Sequence, residues 1–207
     1  TPPPNALIIP IVTHVNAAAG PFLSDVRLTN AGGTDAKYQI TLTPTRTDGT
    51  TSSKVTVVTV GAQQTTALND IVKNFFGFGA TGDPSDIGFG SLEIRPVDSS
   101  SFLTYASSRT YASGAGGTLG QFIAAVPFAK FATKMQSPIP VPGGGGPTIT
   151  RLSLQQISQS SRFRTNFGLA EGAGQPASGI IHIIDAAGNN LKDVPFSLLP
   201  GEQQQIN

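Results

Sequence analysis

Apolar and polar residues alternate along most of this chain in short runs, and the runs are separated by glycine, proline, asparagine and aspartate. A period of two marks a strand with one face buried. Residues 7–15 read as a strand in which Pro10, having no N–H to give a ladder, marks an edge or a bulge. Residues 26–29 alternate, residues 30–35 form a loop of turn formers, and residues 38–43 alternate strictly. Residues 54–60 then close a hairpin through Asp48-Gly49. Residues 91–95, 102–111 and 121–126 are further strands. The period changes once, at Leu68, Ile71, Val72, Phe75 and Phe76, whose spacings of three and four predict a short helix. Asn69 or Asp70 stands at its start and Gly77 at its left-handed stop, and its five apolar side chains are expected to share the face that plugs one end of two packed sheets.

The pattern occurs twice. Phe22-Leu-Ser-Asp25-Val26-Arg-Leu28 lines up with Phe163-Arg-Thr-Asn166-Phe167-Gly-Leu169. Ile40-Thr-Leu42 answers Ile181-His-Ile183, and residues 61–69 answer residues 200–207 with one residue dropped. Strands are expected at 165–169, 179–184 and 194–198, with a hairpin loop at 186–190, and Ile206-Asn207 falls where the first copy opens its helix. A repeat of this size means two similar units in tandem. The expected fold is all-β: a sandwich over residues 1–132 with one short helix, a Pro/Gly-rich linker over 133–147, and a partial sandwich over 148–207 that lacks the counterpart of residues 70–132.

Composition narrows the class. With 24 Gly, 16 Pro and only 12% charged residues, the chain is neither a charged disordered segment nor a helical bundle. A net charge of +1 without Lys/Arg clusters gives no field for nucleic acid. The longest apolar run, around Ile8 to Val12, is far too short for a membrane span. Absence of cysteine removes disulfides, thiolate metal sites and a thiol nucleophile while remaining compatible with a bacterial extracellular protein. The start at Thr1-Pro-Pro-Pro suits a secreted protein freed of its leader, and a trimmed chain would look the same.

Groups that carry chemistry do not converge. Gly77-Phe-Gly79-Ala-Thr-Gly82 spells the G-x-G-x-x-G string but follows a helix instead of a strand, so it reads as a surface loop. His14 and His182 sit on strands of different copies with no metal-ligand partner at the usual spacings, and no nucleophile elbow appears, so both read as structural. Asp83 with Asp86, and Asp185 with Asn189, Asn190 and Asp193, depart from the calcium-loop pattern and read as turn caps. Asp25 and Asn166 share a repeat position that suits a side chain tying a loop to its neighbour. Tyr105, Ser107, Arg109 and Tyr111 share a strand face, placing a guanidinium between two phenol rings; this reads as a sugar-stacking platform or as a plain cross-strand ladder.

Several of these motifs, Ile9-Pro10-Ile-Val-Thr-His14, residues 22–32, Ser107-Ser-Arg109-Thr110-Tyr111, Gly120-Gln121-Phe122-Ile123, residues 163–169 and 185–189, resemble those of tandem domains in secreted proteins of soil and environmental bacteria. The resemblance covers nearly the whole chain and implies immunoglobulin-like β-sandwiches with no assigned activity. The expected role is a non-catalytic extracellular or cell-surface module without cofactor or metal, whose partners are other protein chains, chiefly further copies of itself. Unpaired strand edges recruit strands, so the second unit is expected to be completed either by further chain or by a neighbouring molecule, the latter giving head-to-tail polymers. Leu7, Ile8, Ile9, Ile11 and Val12 are the candidate donor segment, or else the first strand of their own unit. The alternative is a glycan-binding accessory module of a secreted enzyme, using Tyr105, Arg109 and Tyr111.

Overall fold

A computed structural model describes residues 1–17, 20–79, 88–97, 104–114, 117–132, 152–155, 157–158, 160–161 and 165–206. The expected linker at 133–147, Asp83, Asp86 and Gly82 lie outside the described residues. The chain is all-β: the described residues form thirteen antiparallel strands with two short α-helices and one 3-10 turn.

In the N-terminal lobe the strands are β1 (Leu7–Ala17), β2 (Gly20–Asn30), β3 (Ala36–Pro44), β4 (Lys54–Val60), β5 (Gln64–Leu68), β6 (Phe89–Pro96), β7 (Thr104–Gly114), β8 (Gly117–Ala124) and β9 (Val126–Pro127). They follow the order β4-β3-β6-β1-β2-β7-β8, with β5 on β2 and β9 on β1. β1 belongs to both halves of this path. Leu7 to Thr13 pair with β6, and the register shifts between Ile9 and Val12, so Pro10 falls in an irregularity where its missing donor is harmless. His14 to Ala17 then pair with β2. Leu7, Ile8, Ile9, Ile11 and Val12 are thus engaged in their own lobe, the second of the two places open to them, with Ile9 and Val12 fully buried.

The core lies between the two halves. Ile9, Tyr38, Ile40, Leu42, Leu92 and Ile94 from one side meet Val26, Leu28 and Leu68 from the other. Each such burial contributes roughly 1.5–3 kcal/mol. Tyr38 satisfies its phenol within this core through a 3.2 Å hydrogen bond between its OH and Thr104 Oγ1.

Helix α1 (Gly49–Ser52) occupies the β3–β4 connection, capped by Asp48, whose carboxylate accepts from Thr50 N at 2.8 Å. The predicted helix is α2 (Ile71–Phe76), and it ends as expected at Gly77 in the left-handed region, φ 75°. Its burial is narrower than expected. Ile71, Val72 and Phe76 enter the core, Phe75 is 38% exposed, and Leu68 belongs to β5. Lys54 closes the helix by donating to Phe76 O at 3.0 Å while its ammonium lies 3.8 Å from the Phe78 ring centre.

The C-terminal lobe contains β10 (Phe167–Ala170), β11 (Ala177–Ile184), β12 (Asn190–Leu198) and β13 (Gln203–Ile206). Among the described residues β10 pairs with β13 and β11 with β12, giving two separate two-stranded sheets. Ile206, expected to open a helix, ends β13 instead. The lobe is seated on the N-terminal lobe mainly through peptide groups. Gly49 N donates to Pro200 O at 2.7 Å, Thr45 Oγ1 to Gln203 O at 2.6 Å, Ser91 Oγ to Gly201 O at 2.6 Å, and Arg46 N to Glu202 Oε1 at 3.1 Å.

Candidate functional site

The repeat is preserved at the level of register. In the first copy Val26 pairs with Leu68; in the second their counterparts Phe167 and Ile206 pair likewise. Ile40 opposite Thr56 has its equivalent in Ile181 opposite Val194. The loop-holding residue at the end of the first matched strand also recurs in altered form. Asn30, fully buried, donates from Nδ2 to the carbonyls of Thr34, Val60 and Gly61 and accepts from Gly32 N. Glu171, one repeat on, accepts from the N–H groups of Ala173, Gly174, Gln175 and Gly201. Neither residue stands out in the sequence, because a lone Asn or Glu at a strand end looks like surface.

Burial separates the copies. Tyr38, Ile40 and Leu42 are 0–1% exposed, since β6 lies alongside β3 and the core closes over them. Their counterparts Gly179, Ile181 and Ile183 are only half-buried, as are Phe167, Leu169 and Ile206. Among the described residues β11 has no partner on the edge where β3 meets β6, and β10 has none where β2 meets β7. Within the described residues the C-terminal lobe therefore presents two unpaired strand edges beside apolar faces.

On the N-terminal lobe, β7 carries Tyr105, Ser107, Arg109 and Tyr111 on its outward face. The Arg109 guanidinium lies 4.5 Å from the Tyr111 ring centre. Tyr105, 62% exposed, stands further along the strand opposite Thr29, so the stacking contact is with Tyr111 alone and the guanidinium is not sandwiched between two rings. Tyr111 OH donates to Asp25 Oδ2 at 3.2 Å. Burial first, and then the charge of Asp25, raise the Tyr111 phenol above its ordinary value of 10.0.

Asp25 leads inward. Its Oδ1 accepts from Asp70 N at 2.9 Å, tying the approach to α2 onto β2, the loop-holding role anticipated at this repeat position. Asp70 adopts φ 45° and directs its side chain away from the helix, so that both carboxylate oxygens lie 2.9 Å from His14 Nδ1. His14 is 5% exposed and packed against Gly79 and Gly88, where a β-carbon on either would strike it. The sequence missed this His–Asp pair because its members lie on β1 and before α2, far apart in the chain. The pair is walled in by backbone, and no hydroxyl nucleophile bonds to the ring among the described residues. Its geometry is that of a structural tie.

His182 makes the parallel contact at the surface, with Nδ1 2.7 Å from Asp193 Oδ1 across the β11–β12 hairpin. Asp193 is held below the usual carboxylate range by the Asn190 amide and then by His182. Asp185 is lowered chiefly by the Asn189 side chain, and its oxygens also accept from the N–H groups of Ala187 and Asn189. Both carboxylates are thus occupied by their own turn. Among the described residues no group of three or more His, Cys, Asp or Glu is placed to hold a metal, and no helix is long and apolar enough to cross a membrane.

Two hollows mark the described surface. A cleft of about 250 Å³ between the lobes is lined by Thr41, Thr43, Ser91, Glu93, Arg95 and Glu171 among others, and its main charges are spent internally: Arg95 pairs with Glu93 at 2.5 Å, and Glu171 is filled by N–H donors. The other, also about 250 Å³, is lined by Arg109, Thr118, Gly120, Gln121 and Phe122 on the outside of β7 and β8.

No family model matches the chain, and no curated protein matches it. Among solved structures, the crystal structure of Thermotoga maritima 1070 is similar over 59% of this chain and 92% of its own length, with 11% identity and a TM-score of 0.42. That likeness is too slight to carry a reading of fold or function.

Proposed function

We propose that this chain is a non-catalytic structural or interaction module of secreted, cell-surface type, built from two immunoglobulin-like β-sandwich units of which the second takes up strands from another copy of the chain. The observation that carries this is the contrast between equivalent positions: Ile40 and Leu42 are sealed beneath a neighbouring strand, whereas Ile181 and Ile183, in the same register, are half-exposed beside a free edge. An apolar sheet face beside unpaired N–H and C=O groups gains both burial and hydrogen bonds from an added strand. Because the donor and acceptor surfaces differ, such pairing is heterologous and gives open chains unless the rotation happens to close.

Light scattering on the eluting 207-residue protein across a range of concentrations tests the reading. Concentration-dependent dimers or larger species are expected, with Ile181→Asp and Ile183→Asp shifting the protein to monomer while its thermal transition from the N-terminal lobe persists. A strictly monomeric protein whose β11 amides are nonetheless well protected from exchange would overturn it.

A further inference from the structure

The hollow on the outer surface of β7 and β8 lies on the N-terminal lobe, apart from the strand edges of the C-terminal one. Asp25, Arg109 and Phe122 lie side by side across β2, β7 and β8, because Arg109 pairs in register with Asp25 on one side and with Phe122 on the other. Phe122 is 71% exposed, a large apolar ring left in water. Next along β8 on the same face is Gly120, opposite Tyr111. A β-carbon there would lie 2.5 Å from Thr110 O and 2.6 Å from Tyr111 Cβ, so β8 runs close to β7 at this point and the position accepts no side chain; Gly120 lines the hollow together with Arg109, Thr118, Gln121 and Phe122.

Charge decides what fits. Asp25, the nearest carboxylate in register, is already committed to Asp70 N–H and Tyr111 OH. Arg109 has no ion pair among the described residues. Its guanidinium carbon lies over the Tyr111 ring, 4.5 Å from the centre, and a guanidinium offers paired N–H donors to a planar anion. An apolar ring, a hollow beside it and a guanidinium stacked on a phenol together suit a pyranose ring that bears a carboxylate: its C–H face would pack on Phe122, its carboxylate would meet Arg109, and a hydroxyl would reach Thr118.

We propose that Arg109, Tyr111, Gly120 and Phe122 form a binding site for uronic-acid residues of an acidic polysaccharide. This differs from the platform expected of the sequence in moving one strand over, exchanging Tyr105 for Phe122.

Affinity electrophoresis of the full chain through gels containing polygalacturonate, alginate or neutral dextran provides the test. Retardation by an acidic polymer and not by dextran is expected, weakening as salt is added. Arg109→Gln and Phe122→Ala should each weaken retention at least tenfold, Phe122→Tyr should restore most of it, and Phe75→Ala, a remote exposed ring, should leave it unchanged. Circular dichroism checks that each variant is folded. Absence of retention by either acidic polymer, equal retention by dextran, or retention unaffected by Arg109→Gln and Phe122→Ala overturns the proposal. So does a finding that Phe122→Ala abolishes self-association while leaving retention intact, which would make the β8 edge a protein contact.

Discussion

Asn30 shows how much a single polar side chain can hold when it is buried with every partner in place. Replacing it with alanine takes the donor away from the buried carbonyl of Val60 and from the part-buried carbonyls of Thr34 and Gly61, at a cost of about 1–3 kcal/mol for a buried group left unsatisfied. Asn30→Ala is therefore expected to lower the denaturant midpoint clearly with little change in slope, and Asn30→Asp, which keeps the shape but loses the donors, to do much the same. Tyr111 gives a pH signature. Its phenol is raised above 10.0 by burial and by Asp25, so the fold favours the neutral form; that contribution is complete below the unfolded value and is lost as pH rises through the folded one. In a Tyr38→Phe, Tyr105→Phe background, the tyrosinate absorbance should have its midpoint above pH 10.0, and Asp25→Asn should draw that midpoint part of the way back, because burial, the larger cause, remains. Of these residues the sequence pointed to Asp25 through the repeat. Asn30, His14 with Asp70, and Phe122 with Gly120 were hidden because each depends on a neighbour brought by strand pairing, which no local pattern records.

Elements were legible in proportion to the strength of their alternation. β3 buries Ala36, Tyr38, Ile40 and Leu42 at every second position, and its period of two stands out in the bare sequence. β5 and β13 escaped notice because Gln64-Thr-Thr-Ala-Leu68 and Gln203-Gln-Gln-Ile206 are polar edge strands that place only one or two apolar side chains inward. The same cause misplaced Leu68 and Ile206 at helix starts: an apolar residue at the end of a polar run looks alike whether it closes a strand or opens a helix. Gly90 marks where β6 runs closest to β3, and a β-carbon there would collide with the Thr43 carbonyl. Gly90→Ala should accordingly destabilise the lobe by about 3 kcal/mol, the upper end of overpacking costs, whereas Phe75→Ala on the exposed side of α2 should change stability by less than about 0.5 kcal/mol. Thermal melts of the two variants separate these expectations.

At the scale of the whole molecule, the two lobes share a register but not a degree of closure, and among the described residues four hydrogen bonds run from the β3–α1 connection, α1 and β6 to the β12–β13 turn and β13. Removing Ser91 Oγ and the Glu202 carboxylate together, as Ser91→Ala with Glu202→Ala, takes away two of these and also the bond that Leu199 N makes to Glu202. The expected outcome in calorimetry is that the C-terminal lobe melts earlier, by an amount equivalent to about 1–3 kcal/mol, and that a single transition becomes two. The matching strand registers were readable from the repeat; the seating of one lobe on the other was not, because main-chain donors and acceptors are the same in every sequence.

That anonymity has a further effect on how such a protein can change. A seam stitched largely from peptide groups is blind to most of the side chains around it, so drift at the surface leaves it intact provided that positions 49 and 201 stay without a β-carbon and positions 45 and 91 keep a hydroxyl. Provided that position 202 also keeps its carboxylate, the paired units are free to diverge as far as their sequences already have, and to acquire different surfaces, without coming apart.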